Sequence, residues 1–357
     1  MMLVAISGVV TLPAAAYAAG RLGRLAYPGP ALLAVMTLPF LYDRSFNIYG
    51  GNIMSTMAGE FAYSMALSIA VLYIGVAARG LETGRHRALA GGLLALAGLT
   101  HLFAAFFALV ATAALFVVRP GNREVSWLVV AGPLAGLLSA FWVLPFAWNT
   151  AFLNDMGWGK ERAYIQALWS RSGNFGGQPF LVNEPPLQVF VVLAVIGAVV
   201  CALRRVRLGM ALSLVAVTFA AAFVLLPESR LWNVRILPFY YLSVYLLAGI
   251  ALAELFRLLA DFLRSADDIR RNRPTAMAAA PALLAAVVVI TALAFPLRSF
   301  PTASLYVEDG SHEYGLDWAG GLGTGQLNLG PGWMRYNFTG YEARPAADEY
   351  RQLIATM

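Results

Sequence analysis

Two carboxylates, Asp43 and Glu60, bound a segment rich in glycine and asparagine that precedes a long apolar stretch. A carboxylate at the boundary between water and lipid can act as a general base, hold a metal ion or bind a polar substrate. Both acids also have structural interpretations, because Glu60 could favour the dipole of the following helix and Asp43 could pair with Arg44. The segment offers Asp43 and Glu60 as candidate catalytic groups, and Tyr49 and Asn52 as candidate substrate contacts.

The third candidate for catalysis is His101, which follows Thr100 inside the apolar run 88–118. An imidazole in such a run can line a cavity, and acid–base work would need a second polar group at the same depth. The structural alternative is a hydrogen-bonded residue at a helix turn. His101 is therefore expected to line the cavity that holds the carboxylates.

Arginines suited to phosphate binding lie in a short polar loop before the apolar segment that begins at Ile236. A guanidinium group binds phosphate through two parallel hydrogen bonds. Contact with lipid head groups, or a salt bridge to Glu228, would explain Arg235 equally well. The sequence predicts Arg235, together with Arg230, as a phosphate-binding pair.

Several kinds of site are excluded. The chain has no Gly-x-x-x-x-Gly-Lys-Ser/Thr motif, so no nucleotide site of that type is expected. The three histidines, His86, His101 and His312, fall at three different levels of the predicted topology and cannot share a zinc ion. A single cysteine, Cys201, excludes both a disulfide framework and a thiolate metal cluster.

The elements that must position these groups are membrane helices. Of the 357 residues, 60% are hydrophobic and 12% are charged, against about 25% charged residues in a typical soluble domain. With a mean hydropathy of +0.68, this composition excludes a soluble enzyme and a disordered regulator. We expect an all-α polytopic membrane protein with about nine or ten transmembrane helices.

Nine apolar stretches are candidate spans. The run 88–118 is too long for one comfortable crossing and has arginines on both flanks, so it is expected to fold as two short helices that turn near His101. A cleaved signal peptide is the alternative for the first stretch. The nine stretches are Met1–Ala19, Pro30–Tyr42, Phe61–Ala77, Ala88–Val118, Trp127–Trp148, Leu187–Leu203, Leu208–Leu226, Ile236–Phe256 and Ala276–Pro296.

The arginines indicate the orientation. With the run 88–118 folded as a hairpin, the net charge is +9 on one face and −3 on the other, which accounts for the overall +6. Positive loops stay in the cytoplasm, so the excess is a topology signal and no nucleic-acid partner is predicted. The positive segments are Gly20–Gly29, Ala78–Arg87, Arg119–Ser126, Arg204–Arg207 and Arg257–Thr275.

This orientation gives two predicted regions: a transmembrane domain, 1–296, with long outer loops at 43–60 and 149–186, and an extracytoplasmic segment, 297–357. The second region has no apolar span and is rich in aromatic residues. A helical pattern begins at Asp348, so the segment is expected to be the start of a larger outer domain. Its Trp318 and Trp333 are candidate substrate contacts.

Four ordered motifs resemble a known family. The resemblance is to large bacterial integral membrane proteins described as 6-pyruvoyl-tetrahydropterin synthase-related, which are similar in architecture to the GT-C glycosyltransferases. It runs from about Asn47 to the end of the chain. The motifs are Asn47-Ile-Tyr-Gly-Gly-Asn-Ile-Met-Ser-Thr-Met-Ala-Gly-Glu-Phe-Ala-Tyr-Ser64, Leu99-Thr-His-Leu-Phe-Ala-Ala-Phe-Phe107, Asn233-Val-Arg-Ile-Leu-Pro-Phe-Tyr240 and Trp333-Met-Arg-Tyr-Asn-Phe-Thr-Gly-Tyr-Glu342.

The resemblance implies sugar transfer from a polyprenyl-phosphate donor outside the cytoplasmic membrane, by a catalytic Asp or Glu in the first large outer loop. A divalent metal, Mg or Mn, often assists in that superfamily. This chain has no acidic loop before residue 43, so the loop lies upstream of the chain or Asp43 and Glu60 take its place. The pterin in the family description implies no cofactor here, because the chain cannot assemble the histidine triad of true pterin synthases.

The leading hypothesis is a GT-C-like glycosyltransferase for cell-envelope glycans in a bacterial cytoplasmic membrane. Its partners would be membrane lipid, a polyprenyl-phosphate sugar and a glycan acceptor. The first rival is a transporter or lipid flippase, which should carry ionisable groups at mid-depth between inverted repeats. The second rival is a non-catalytic scaffold of an envelope-assembly complex.

Overall fold

The computed structural model describes residues 2–43, 46, 48–152, 159–170, 187–228, 231–263, 301–308, 311–318 and 347–356. These residues form eleven α-helices and one β-hairpin. The helices are α1 (Met2–Leu22), α2 (Gly29–Leu41), α3 (Ile53–Met57), α4 (Phe61–Thr83), α5 (Arg87–Thr100), α6 (Leu102–Val118), α7 (Asn122–Trp148), α8 (Leu187–Arg204), α9 (Arg207–Leu225), α10 (Leu237–Leu263) and α11 (Ala347–Thr356).

Six helices in the described part of the chain are long and apolar enough to cross a membrane, and three shorter apolar helices accompany them. The six are α1, α4, α7, α8, α9 and the helix that includes α10, and the shorter ones are α2, α5 and α6. The length and apolar composition of these helices confirm the coarse prediction of a helical, multi-pass membrane protein. The count of nine or ten spans stays a prediction, and the stretch 276–296 lies outside the described residues.

Helices α4 and α10 form the centre of the bundle. Their apolar windows are 72% and 94% buried, whereas those of α7 and α8 are each only 22% buried. The exposed side chains of α7 are large and apolar, for example Leu137, Phe141 and Leu144. Such a surface suits lipid contact, so α7 and α8 form the periphery of the bundle.

The long apolar run divides at His101, as predicted. The backbone of His101 is extended, with φ −162° and ψ 122°, and it separates α5 from α6. The His101 ring lies 4.7 Å from that of Tyr63 near the start of α4, and Thr112 of α6 shares a 2.8 Å hydrogen bond with Tyr73, further along α4. Helix α6 therefore runs beside α4 in the same direction, and the run folds back on itself.

The arginine-rich segments meet at the other end of the bundle, which we call the arginine end. Each contact joins two segments that were predicted to share one face. The contacts are Arg24 to Glu82 at 2.5 Å, Arg123 to the Glu82 carbonyl at 3.0 Å, Arg207 to Glu124 at 3.6 Å, and Arg204 to Glu254 at 2.6 Å. Glu254 also pairs with Arg257 at 2.8 Å. The described parts of the segments predicted to be positive loops thus lie at one end of the bundle.

Glycine brings the backbones of α1 and α4 close together. A Cβ atom added at Gly75 of α4 would lie 2.5 Å from Ala19 Cα of α1. Small residues at such crossings are common between membrane helices, because they allow dense packing. The contact fixes α1 against the central helix.

Substituting Gly75 by alanine is expected to lower the stability of the bundle by about 1–3 kcal/mol, because two backbones must separate. The measurement is thermal unfolding of the purified variants in one detergent. Gly132→Ala on α7 is the matched control, since nothing lies within 4 Å of its added Cβ. Equal melting temperatures for the two variants would contradict the packing of α1 on α4.

The described residues beyond α10 form the strands β1 (Pro301–Glu308) and β2 (Ser311–Trp318) and the helix α11. The strands pair antiparallel, with Pro301 opposite Trp318 and Glu308 opposite Ser311. The sequence pattern did not predict this hairpin. The all-α expectation therefore holds for the described helices up to residue 263 and does not extend to 301–318.

Candidate functional site

An ion pair joins two residues that the sequence singled out separately. Glu60 Oε1 lies 2.5 Å from Arg235 Nη1, and the side chains are 24% and 13% exposed. Glu60 occupies the position that caps α4, yet its side chain makes no capping hydrogen bond. Arg235 belongs to a short 3₁₀ turn, Asn233–Ile236, that leads into α10. The Glu60 carboxylate therefore pairs with Arg235 and does not cap α4. The Arg235 side chain faces the protein and not only lipid.

Tyr63 connects this pair to His101. It follows Glu60 by three residues, which places both side chains on neighbouring positions of one helix face. Its hydroxyl donates a 2.9 Å hydrogen bond to the Arg235 carbonyl, and its ring lies 4.7 Å from the His101 ring. His101 Nδ1 is buried and has no hydrogen-bond partner among the described residues. Glu60, Arg235 and His101 thus meet around Tyr63 at one end of the bundle, which we call the site end.

The glycine–asparagine segment folds over Tyr63. Gly50 has a φ of +115°, and a Cβ atom added there would overlap the Tyr63 ring. Its amide donates a 3.1 Å hydrogen bond to the Ser55 hydroxyl, and Thr56 shares a 2.5 Å hydrogen bond with Ser64 on α4. Only glycine meets both conditions at position 50, a left-handed backbone and an aromatic ring in direct contact.

Asn52 holds the same segment together through its side-chain amide. The oxygen accepts a 2.8 Å hydrogen bond from the Ser55 amide at the start of α3, and the nitrogen donates to the carbonyls of Asp43 and Phe46 at 2.6 and 2.8 Å. Asparagine is among the preferred residues at this capping position. These contacts give Asn52 a structural role, while a substrate contact for it stays a prediction.

Asp43 and Tyr49 lie deeper than predicted. The Asp43 side chain is 4% exposed, and its carboxylate accepts a 3.3 Å hydrogen bond from the Tyr245 hydroxyl on α10. Tyr49 is 7% exposed and packs edge-on against Trp232, with 5.5 Å between ring centroids. Of the two candidate acids, Glu60 is therefore the more accessible.

Asn233 organises the second loop, and the sequence did not reveal this role. Its side chain bonds both the amide and the carbonyl of Glu161, each at 2.9 Å, and the carbonyl of Phe223 at 3.1 Å. Lys160 donates a 2.7 Å hydrogen bond to the Val224 carbonyl at the end of α9. The described part of that loop thus packs on the end of α9, next to the turn that carries Arg235.

The remaining predicted contacts are not placed at this site. Arg230 and Trp333 lie outside the described residues, and Trp318 ends β2 with its side chain outside the described part. For a metal, the described residues contain no group of three or more His, Cys, Asp or Glu side chains that could hold an ion. The divalent metal that the resemblance implied stays a prediction.

Comparison of the chain with described protein families, curated proteins and solved structures finds no match. The resemblance to the pterin synthase-related membrane proteins therefore stays a prediction. What the fold defines is a class, a multi-pass helical membrane protein with a charged cluster at one end of its bundle.

Proposed function

We propose that the protein is a GT-C-like glycosyltransferase that uses a polyprenyl-phosphate-linked sugar for cell-envelope glycan assembly. The observation that carries the proposal is the Glu60–Arg235 pair beside His101 at the site end. The two side chains are only 24% and 13% exposed, and keeping charged groups partly buried is costly, so their convergence favours a function. A base next to a phosphate-binding cation is what transfer from a phosphate-linked donor requires.

The orientation of the bundle supports an extracytoplasmic reaction. Glu60 precedes α4 and Glu82 lies near its other end, so the site end and the arginine end are opposite. Positive loops favour the cytoplasm, and the arginine end then faces inward in a bacterial cytoplasmic membrane. The site end, and on the predicted topology the C-terminal segment, would face outward, where lipid-linked sugars are used.

The proposed chemistry uses one base and one cation. The Glu60 carboxylate takes the proton of an acceptor hydroxyl, whose oxygen attacks the anomeric carbon of the donor sugar. The bond between that carbon and the phosphate oxygen breaks, and its electron pair leaves with the polyprenyl phosphate. Arg235 stabilises the developing phosphate charge, and His101 lines the site through its ring contact with Tyr63. Trp318 and Trp333 are the proposed stacking surfaces for the acceptor glycan.

The depth of the charged cluster favours an enzyme over the rival transporter. Glu60 stands immediately before α4, and Arg235 immediately before α10, so both lie at helix ends. A transporter would be expected to place such groups near the middle of the membrane. A site at the boundary can receive a lipid carrier from one side and a polar acceptor from the other.

The test is sugar transfer by the purified full chain in lipid nanodiscs. Polyprenyl-phosphate donors with different sugars would be mixed with envelope glycans, and free polyprenyl phosphate and extended glycan would be measured by mass spectrometry. Both products are expected in equal amounts with one donor. Movement of intact donor across a vesicle membrane without cleavage would overturn the proposal in favour of a flippase, and binding of a partner protein with neither activity would favour a scaffold.

A further inference from the structure

We propose that Glu60 occupies the phosphate site of Arg235 while no donor is bound, and that the donor phosphate displaces it. The inference rests on the proposed function and adds regulation to it, since the general base would be released only by the arrival of substrate. The ion pair would then be an internal competitor of the ligand and not a permanent structural bridge.

The two partners are joined only through their side chains, and the backbones that carry them are fixed. Arg235 lies in a turn whose backbone is fixed, because its carbonyl accepts from Tyr63 at 2.9 Å and its amide donates to the Trp232 carbonyl at 3.1 Å. Among the described residues, the structure gives the Glu60 carboxylate only Arg235 as a hydrogen-bond or ion-pair partner. The Glu60 carboxylate can therefore turn away without breaking another hydrogen bond or ion pair, while its backbone stays fixed, because the Glu60 amide donates to the Ser55 carbonyl at 2.9 Å.

The chemistry of the two anions is matched. A sugar phosphodiester carries one negative charge shared by two free oxygens, as a carboxylate does, so it can replace Glu60 beside the guanidinium and keep Arg235 paired with an anion. Burial of Arg235 without any anion would be costly. Exchange of one anion for another avoids that cost, and it frees the carboxylate next to the bound donor.

Glu60→Gln is therefore expected to bind phosphate more tightly, although it removes the base. The probe is polyprenyl monophosphate, the lipid product, added to full-length protein in phosphatidylcholine nanodiscs and measured by native mass spectrometry. Glu60→Gln should lower the dissociation constant at least about tenfold relative to the wild type. Glu228→Gln is the matched control and should leave the dissociation constant unchanged. Glu228 is an exposed acid in the polar loop before α10 and lies near Gly159.

Two further ligands identify the source of the phosphate. If inorganic phosphate shows the same increase in affinity, the site binds any phosphate. If only polyprenyl monophosphate shows the increase, the site binds the lipid-linked phosphate. Uncharged polyprenol should bind equally to both proteins. Equal or weaker binding of polyprenyl monophosphate by folded Glu60→Gln would overturn the inference even if the wild type transfers sugar. Tighter binding without any sugar transfer would support the displacement of Glu60 by phosphate and contradict the proposed glycosyltransferase activity.

Discussion

Replacing Glu60 by glutamine is expected to lower sugar transfer by about 100- to 10,000-fold, which is the usual contribution of a general base. Glutamine keeps the size and hydrogen-bonding capacity of the side chain but cannot accept the proton of the acceptor hydroxyl. The loss should appear in kcat, because donor affinity is expected to rise and not fall. Initial rates at several donor concentrations would separate the two parameters.

The controls follow from the positions of the other acids. Glu228→Gln should transfer at the wild-type rate, since Glu228 is exposed and separate from the ion pair. Asp43→Asn tests the second candidate; because Asp43 is buried against Tyr245, its substitution should affect the melting temperature more than kcat. If Glu60→Gln and Asp43→Asn both transferred sugar at the wild-type rate, neither carboxylate would act as the general base.

Much of the fold could be predicted because its causes are local or compositional. A low charge content and long apolar stretches require membrane helices. The hairpin at His101 followed from arginines on both flanks of one run, and the hydrogen bond from Arg123 to the Glu82 carbonyl connects those flanks. These inferences needed only the rule that positive loops share one side, and so they did not depend on tertiary detail.

The site was predicted as a list of residues but not as an arrangement. Glu60 was weighed against the helix dipole and Arg235 against Glu228, which are partners close in sequence, whereas the observed pair joins residues far apart in the chain. No spacing rule connects positions on helices that are distant in sequence. Tyr63 could have been found, because a residue three positions after Glu60 shares its helix face.

Asn52 and Asn233 show a second reason why the site could not be predicted in full from the sequence. Asn52 and Asn233 each direct a side-chain amide at backbone groups of another segment. A pattern of residue types cannot distinguish an amide that binds substrate from one that satisfies buried backbone groups, because both need the same donor and acceptor. The partners become visible only when the two chain segments are placed together.

Substituting Arg235 by glutamine is expected to abolish phosphate binding and also to destabilise the protein by about 1–3 kcal/mol. The second effect arises because the Glu60 carboxylate, 24% exposed, would lose the positive charge beside it. Adding Glu60→Gln should restore most of the stability, since two neutral amides can bond to each other, but it should not restore transfer. Thermal unfolding and initial rates of both single variants and the double variant provide the measurement.

Arg235→Lys refines this prediction by separating charge from shape. Lysine keeps the charge beside Glu60, so the melting temperature should change less than in Arg235→Gln. It lacks the planar fork that contacts two phosphate oxygens at once, so polyprenyl phosphate should bind more weakly than to the wild type. If the double variant were no more stable than Arg235→Gln alone, Glu60 and Arg235 would not be coupled, and both the proposed base and its displacement by phosphate would lose their structural basis.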